Sequence, residues 1–222
     1  MSFAIWKYII KLKGMKMEKY KTVKEYAECE IVEKKSRFIG YICPVSTEKE
    51  ALSFISKISK MNWDATHNVY AYKVNEGNIS RCSDDGEPAK TAGAPILDVI
   101  EKEELTDLCV VVTRYFGGTL LGTGGLVKAY SKAGKDVINV SGIVTKQLSV
   151  KFVVSIPYHL LGKYENEFKN YDVIILEKEF SDTVDILGIC KDDKFDVLNK
   201  KISEISGGQF LLIETEKLFY GF

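Results

Sequence analysis

Five glycines fall within nine positions of this chain: Gly117, Gly118, Gly122, Gly124 and Gly125. They follow a β-branched run, Val110 to Thr113, and the triplet Arg114, Tyr115 and Phe116. Glycine is entropically costly in ordered structure, so such a cluster needs a reason. Backbone at positive φ, close approach of two backbones, and a ligand resting on bare amide N–H groups are the three candidates. A Walker A loop is excluded: Gly117 and Gly122 have the spacing, but Thr123 stands where the phosphate-neutralising lysine belongs. A dinucleotide fingerprint is also excluded. Gly122 and Gly124 begin one, but Val127 occupies the third glycine position. Two readings remain. The loop is an anion nest at a helix start, with Arg114 adding a bidentate contact to phosphate or carboxylate. Or the glycines serve backbone packing alone.

A second group lies upstream. Ser83, Asp84, Asp85, Glu87, Lys90 and Thr91 sit in one segment, with three carboxylates in four residues. Such a group can hold Mg²⁺ or move protons. The spacing lacks the DxDxDG core of an EF-hand, and the competing reading is an ordered loop in which Asp84 and Asp85 accept backbone N–H bonds in turns. His67 and His159 are the only histidines, too few for a three-histidine metal site. A Ser83–His67–Asp84 triad is conceivable, but there is no GxSxG elbow. His67 is expected instead as a hydrogen-bonded strand residue. The five cysteines are odd in number, widely spaced and without a CxxC pair, which argues against disulfides and structural zinc. Cys109 opens an apolar strand and should be buried and inert. No metal and no cofactor is expected.

A third group is basic. Lys34, Lys35, Arg37, Arg114, Lys128 and Lys132 can form a positive face, with Tyr115 and Tyr130 as stacking platforms. That mixture suits single-stranded RNA; a merely solvated face is the competing reading. The formal net charge is zero. Residues 1–16 carry four lysines and no acid, while residues 149–222 carry nine basic and 13 acidic side chains. A protein held to nucleic acid by its overall charge would be basic, so any RNA contact here must be local.

The elements that position these groups follow from periodicity. Tyr20–Glu33 suggests a strand or hairpin and residues 34–37 a basic turn. Phe38–Cys43 reads as a strand closed by Pro44. Thr47 with Glu50 forms a capping box, opening a helix with Leu52, Ile55, Ile58 and Met61 on one face. His67–Val74 alternates as a strand. Arg81–Pro95 has turn chemistry, and Pro95 suits the first turn of a helix running to about Glu104. Val110–Phe116 is a strand. The helix from about Gly125 to Asn139 should turn Val127, Tyr130, Ser131, Gly134, Val137 and Ile138 inward. After Gly142 come a strand (148–156), a helix opened by Pro157, two strands (171–180 and 183–190), a helix (194–205) and a strand (209–216). This β-α-β-β-α-β order is the ferredoxin-like unit. The fold class is therefore α+β in two domains, residues 17–145 and 146–222. Residues 1–16 are a leader or upstream extension. Phe3–Leu12 is too short and too interrupted by lysine to span a bilayer, and it lacks the features of a secretory signal. It reads as a weak surface-binding helix or as sequence upstream of a native start at Met15 or Met17.

Four segments carry a family resemblance: KKSRFIGY (34–41), ATHNVYAY (65–72), SDDGEPAKTAGAPIL (83–97) and VVVTRYFGGTLLGTGGLVKAY (110–130). In order and content they closely resemble the IMPACT family. The C-terminal unit is similar to the second domain of bacterial members, which resembles the C-terminal domain of elongation factor G. The resemblance implies a first domain like one seen in a small-subunit ribosomal protein and in translation GTPases. Eukaryotic relatives regulate translation by binding the activator of an initiation-factor kinase; they carry an extra N-terminal domain, whereas this chain resembles the bacterial layout. The resemblance therefore implies a looser link to translation, and it transfers no catalytic residue. Arg114, Tyr115, Phe116, Gly117, Gly118 and Gly122 match the signature position by position. Lys90 departs from it, since many relatives have glycine there, and a lysine speaks against a positive-φ role.

The expectation is a cytoplasmic, non-catalytic regulator of translation that binds RNA, the ribosome or a translation component. The binding set is Lys34, Lys35, Arg37, His67, Asp84, Asp85, Glu87, Arg114, Tyr115, Phe116, Gly117, Gly118, Gly122, Gly124, Gly125 and Lys128. No DNA sequence specificity and no membrane partner is expected. The alternatives are an enzyme or binding protein for a small anionic ligand at the glycine loop, and a pure protein-interaction module.

Overall fold

A computed structural model of the protein describes residues 19–222. The leader expected at residues 1–16 lies outside the described residues. The described chain forms two compact units divided between Thr145 and Lys146.

The first unit is built on a five-stranded antiparallel sheet. Its strands are β2 (Ala27–Glu33), β3 (Ser36–Pro44), β4 (His67–Val74), β5 (Ile79–Ser83) and β6 (Leu108–Tyr115), in the order β2-β3-β6-β4-β5. A short strand β1 (Lys19–Val23) precedes them. Strand β6 lies at the centre, which explains its unbroken apolar run: every residue from Leu108 to Arg114 is buried. Helices α2 (Gly93–Lys102) and α3 (Thr123–Ser141) follow β5 and β6. Their residues Ile96, Ile100, Leu126, Ala129, Tyr130, Ala133 and Val137 share one core with Phe38, Ile42, Val69, Val110 and Val112 of the sheet. Helix α1 (Glu48–Met61) supplies Ala51, Phe54 and Ile58 to a second core with Tyr41, Tyr72, Cys109 and Val111. The side chains of β6 alternate between these two cores, as a period of two requires.

The capping box is present: the Thr47 hydroxyl accepts from the Glu50 N–H at 3.1 Å, and the Glu50 carboxylate accepts from the Thr47 N–H at 3.3 Å. The apolar stripe of α1 is displaced from expectation. Leu52 and Met61 are exposed, and Ala51 and Phe54 are inside. Small Ala51 lets the helix approach β6, where Cys109 Sγ lies 4.0 Å from the Ala51 carbonyl oxygen, and Phe54 joins the same core. Likewise Val127 faces out on α3, because Leu126 and Ala129 meet the sheet. Residues 79–83, partly assigned to a loop from sequence, form the edge strand β5, paired with β4 from Tyr70↔Ser83 to Val74↔Ile79.

The second unit contains β7 (Ile143–Ile156, which begins before the division), α4 (Leu161–Asn170), β8 (Ile174–Phe180), β9 (Val184–Lys191), α5 (Asp192–Ile205) and β10 (Ile213–Gly221). Strand order β10-β7-β9-β8, antiparallel throughout, is the ferredoxin-like arrangement expected. One face of the sheet packs Val150, Phe152, Val154, Ile186 and Cys190 against Tyr164, Phe168, Phe195, Leu198 and Ile202 of the helices. The last strand starts later than expected. Residues 206–210 form a turn in which the Ser206 hydroxyl accepts from the Phe210 N–H at 3.1 Å. No helix among the described residues is long and apolar enough to cross a membrane.

Candidate nucleic-acid interface

Sheet register brings most of the sequence-derived candidates to one end of the first unit. Arg37 pairs with Tyr115, and both Phe38 and His67 lie opposite Arg114. The hairpin tip at Lys34–Lys35, the turn at residues 62–66, the loop at 84–92 and the glycine loop all leave the sheet there.

Arg114 is not a surface cation. It is 6 % exposed, and its Nη1 donates to Glu87 Oε1 at 2.6 Å. Glu87 is as deeply placed and accepts from the Tyr130 hydroxyl on the same oxygen at 2.8 Å. The guanidinium carbon lies 5.4 Å from the Phe38 ring centroid and 5.6 Å from that of Phe116. Arg114 Nε is buried and makes no hydrogen bond. The charge is thus neutralised inside the protein, and the bidentate contact to an external anion expected of Arg114 is not how its Nη1 is placed. Tyr130 is fully buried and cannot serve as a stacking platform. Burial, reinforced by Glu87, raises its hydroxyl pKa well above the ordinary tyrosine value.

The carboxylates beside Glu87 are occupied as well. Asp84 accepts from the N–H groups of Lys90, Ala92 and Gly93 at 2.8, 3.0 and 2.8 Å. This acceptor pins the loop before α2. Gly93 is required by close approach, since a Cβ there would lie 2.6 Å from the Ser83 carbonyl oxygen. Asp85 accepts from the Asn68 N–H at 2.6 Å. Its own carbonyl meets His67 Nδ1 at 2.6 Å. A carbonyl only accepts, so Nδ1 carries a proton here, and Nε2 lies 3.8 Å from Glu87 Oε1. Among the described residues no group of three or more His, Cys, Asp or Glu is arranged to hold a metal ion. Lys90 adopts φ 63°, so the positive-φ role survives the substitution of glycine by lysine.

The glycine loop divides by cause. The Gly117 N–H donates to the Ser36 hydroxyl at 3.1 Å, and a Cβ on Gly117 would overlap the Lys35 carbonyl. That position is a packing device joining the loop to the hairpin tip. Gly118 and Gly122 adopt φ 79° and 72°, and Gly122 is the N-cap of α3 with no side-chain cap bond. Gly118, Gly122 and Gly124 face open space, where a side chain's Cβ would meet no atom within 4 Å. The first helical amide to bond within α3 is that of Leu126, on Gly122 O at 3.0 Å. The amides of Thr123, Gly124 and Gly125 therefore have no carbonyl a turn earlier to bond and present the positive end of a 19-residue helix.

Beside this helix end lies a cleft of about 140 Å³ between the β2–β3 hairpin and α3. Lys34, Lys128 and Lys132 line it with Leu121, Gly125 and one carboxylate, Glu33. Lys34, Lys35, Lys128 and Lys132 are all exposed. Lys132 is 3.6 Å from Asp136, a surface pair of small energy. Arg37 is exposed but engaged: it donates to both Glu30 oxygens at 2.9 and 2.8 Å, and its guanidinium lies 5.5 Å from the Tyr115 ring centroid. The Glu30 carboxyl pKa is held below its ordinary value by this bond. Around these stand residues the sequence did not single out. Ser36 bridges Gly117 and Arg114, Thr66 Oγ1 accepts from the Phe116 N–H at 3.1 Å, and Trp63 is 82 % exposed. Ser36 and Thr66 lie inside the quoted motifs, which was the only available signal.

Residues 34–138 match the family model of the Impact N-terminal domain, and residues 154–209 match a domain of unknown function (DUF1949). The chain is 42% identical over 201 residues to the IMPACT family member YvyE of Bacillus subtilis, covering 90% of this chain and 93% of that one. It is 30% identical over 187 residues to the IMPACT family member YigZ of Escherichia coli, covering 83% and 92%. Human Protein IMPACT is 36% identical over 98 residues, 41% of this chain and 30% of that protein. A solved structure described as a crystal structure of a hypothetical protein superposes with a TM-score of 0.58 at 28% identity, covering 90% and 98%.

Proposed function

We propose that this chain, which belongs to the IMPACT family, is a non-catalytic binding protein. It acts on translation by holding RNA, free or within the ribosome, at the basic end of its first unit. The observation that carries the proposal is the set of exposed lysines, Lys34, Lys35, Lys128 and Lys132, gathered where the hairpin tip meets the start of α3. The chain has no net charge, so attraction to a polyanion must come from such a local group. The link to translation rests on the family resemblance of the four motifs. The internal engagement of Asp84, Asp85 and Glu87 supports a scaffold role for these carboxylates rather than proton transfer.

Binding of a fluorescent RNA, and co-sedimentation with ribosomes, at about 50 and 200 mM salt tests this reading. Four phosphate contacts to a single strand give a log–log salt slope of about −3 and a loss of about fifty-fold between those salts. Lys128→Ala should flatten the slope by about 0.7. Binding that ignores salt, or lysine variants that bind like the parent chain, would overturn it. The free first-turn amides beside the lysine cleft also favour a second reading, a small phosphorylated or carboxylated ligand. Thermal stabilisation by inorganic phosphate, absent in Lys34→Ala, would select it.

A further inference from the structure

We infer that the bound strand is single-stranded and is gripped by stacking on Phe116 and Trp63, next to the lysines. The inference rests on the RNA reading above and specifies its substrate class.

Phe116 is 47% exposed, yet it is rigidly mounted. Its N–H is fixed on Thr66 Oγ1, and the following N–H, of Gly117, is fixed on Ser36 Oγ. The Arg114 guanidinium lies over the ring, and Glu87 holds that guanidinium at 2.6 Å. A buried ion pair is no more stabilising than an apolar filling of the same volume, and here it leaves Arg114 Nε without a partner. What it supplies is a fixed backing for the Phe116 ring.

Trp63 is 82% exposed. The turn that carries it is tied to the same strand end: the Thr66 N–H donates to Arg114 O at 2.9 Å, and the Tyr115 hydroxyl donates to Asn62 and Asp64, each at 3.2 Å. Leu120, also 82% exposed, extends the apolar surface from the glycine loop. The lysine tip adjoins it through the contact of Gly117 with the Lys35 backbone.

Rigid exposed rings beside cations fit a partner that is anionic and also offers flat, unpaired apolar faces. A single-stranded nucleic acid has both; a duplex hides its base faces. Stacking tolerates any base, so weak sequence preference is expected.

The test compares a short oligo(U) strand with an RNA duplex of equal length at one salt concentration, using the full chain. Phe116→Leu and Trp63→Leu should each weaken single-strand binding about ten-fold or more, with duplex binding and the salt slope unchanged. Thermal unfolding matching the parent chain identifies the variants as folded; Trp63→Phe should restore most of the binding. Equal affinity for duplex and single strand, or silent variants with salt-sensitive binding intact, would overturn this inference while leaving the RNA reading standing. No RNA binding by the parent chain, or capture of a protein that survives nuclease treatment, would overturn both.

Discussion

Breaking the Glu87–Arg114 pair should be far more damaging than replacing it. Both side chains are buried, at 4% and 7% exposure. Arg114→Met leaves Glu87 with the Tyr130 hydroxyl at 2.8 Å and His67 Nε2 at 3.8 Å as its remaining polar neighbours, and removes its cation. An uncompensated buried charge costs roughly 3–5 kcal/mol. Glu87→Leu leaves the buried guanidinium without its carboxylate, with the Ser36 hydroxyl at 3.5 Å, and should cost about the same. The double variant removes both charges and keeps the volume. It should lie within about 2 kcal/mol of the parent chain, the residual being the Tyr130 hydroxyl without its acceptor. The predicted coupling is therefore about 4 kcal/mol or more, well above that of an ordinary contact. Urea unfolding of the full chain measures it, with amide exchange in β6 reporting on the first unit separately. Single variants costing under about 1 kcal/mol, or a double variant costing the sum, would refute the description of Glu87 as a buried charge held by Arg114.

Three further outcomes are expected. Lys90→Gly relieves a left-handed backbone at φ 63° and should stabilise by roughly 0.5–1 kcal/mol after the added freedom of the unfolded chain; a lower urea midpoint would refute it. Gly117→Ala drives a methyl into the Lys35 backbone and should cost about 1–3 kcal/mol or more, whereas Gly124→Ala enters open space on a helix and should stabilise by up to about 1 kcal/mol; equal effects by thermal unfolding would refute the division of the loop. Burial, with Glu87 and Glu48 respectively, raises the hydroxyl pKa values of Tyr130 and Tyr72. Raised folded values mean that their contribution is complete below the unfolded tyrosine pKa of about 10 and is lost as the pH rises beyond it; reversible ionisation of both near that pH, with native circular dichroism intact, would refute it.

Elements whose cause is local were legible in the sequence. The capping box at Thr47 and Glu50 and the alternating strand His67–Val74 depend on neighbours within a few residues. So does the β-α-β-β-α-β order of the second unit. What failed needed tertiary information. On α1 the expected Ile55 and Ile58 face the core, but Ala51 and Phe54 take the places expected for Leu52 and Met61, and periodicity alone does not choose between adjacent stripes. At the candidate site the residue types were legible but their partners were not. Glu87 is 27 positions from Arg114, and nothing in either segment says that their charges cancel. Tyr130 has a binding-site composition and a core location. The exposure of a lone aromatic such as Trp63 has no sequence signature. Lys90 differs for another reason: a residue with a side chain can occupy a left-handed position when its backbone N–H is held, here by donating to the Asp84 carboxylate.

The hairpin tip sets ease of folding against the lysines that the proposed function requires. Glu33 and Ser36 are paired, so Lys34 and Lys35 form the two-residue turn between them, at φ 46° and 67°. A turn with both residues at positive φ is best served by Asn-Gly. An engineer selecting only for heat resistance would be led to that pair, and a consensus design of the hairpin would supply it. The resulting protein would be tougher and would have lost half of its four gathered lysines. Libraries screened on melting temperature alone would drift toward chains without the lysines that the proposed function requires.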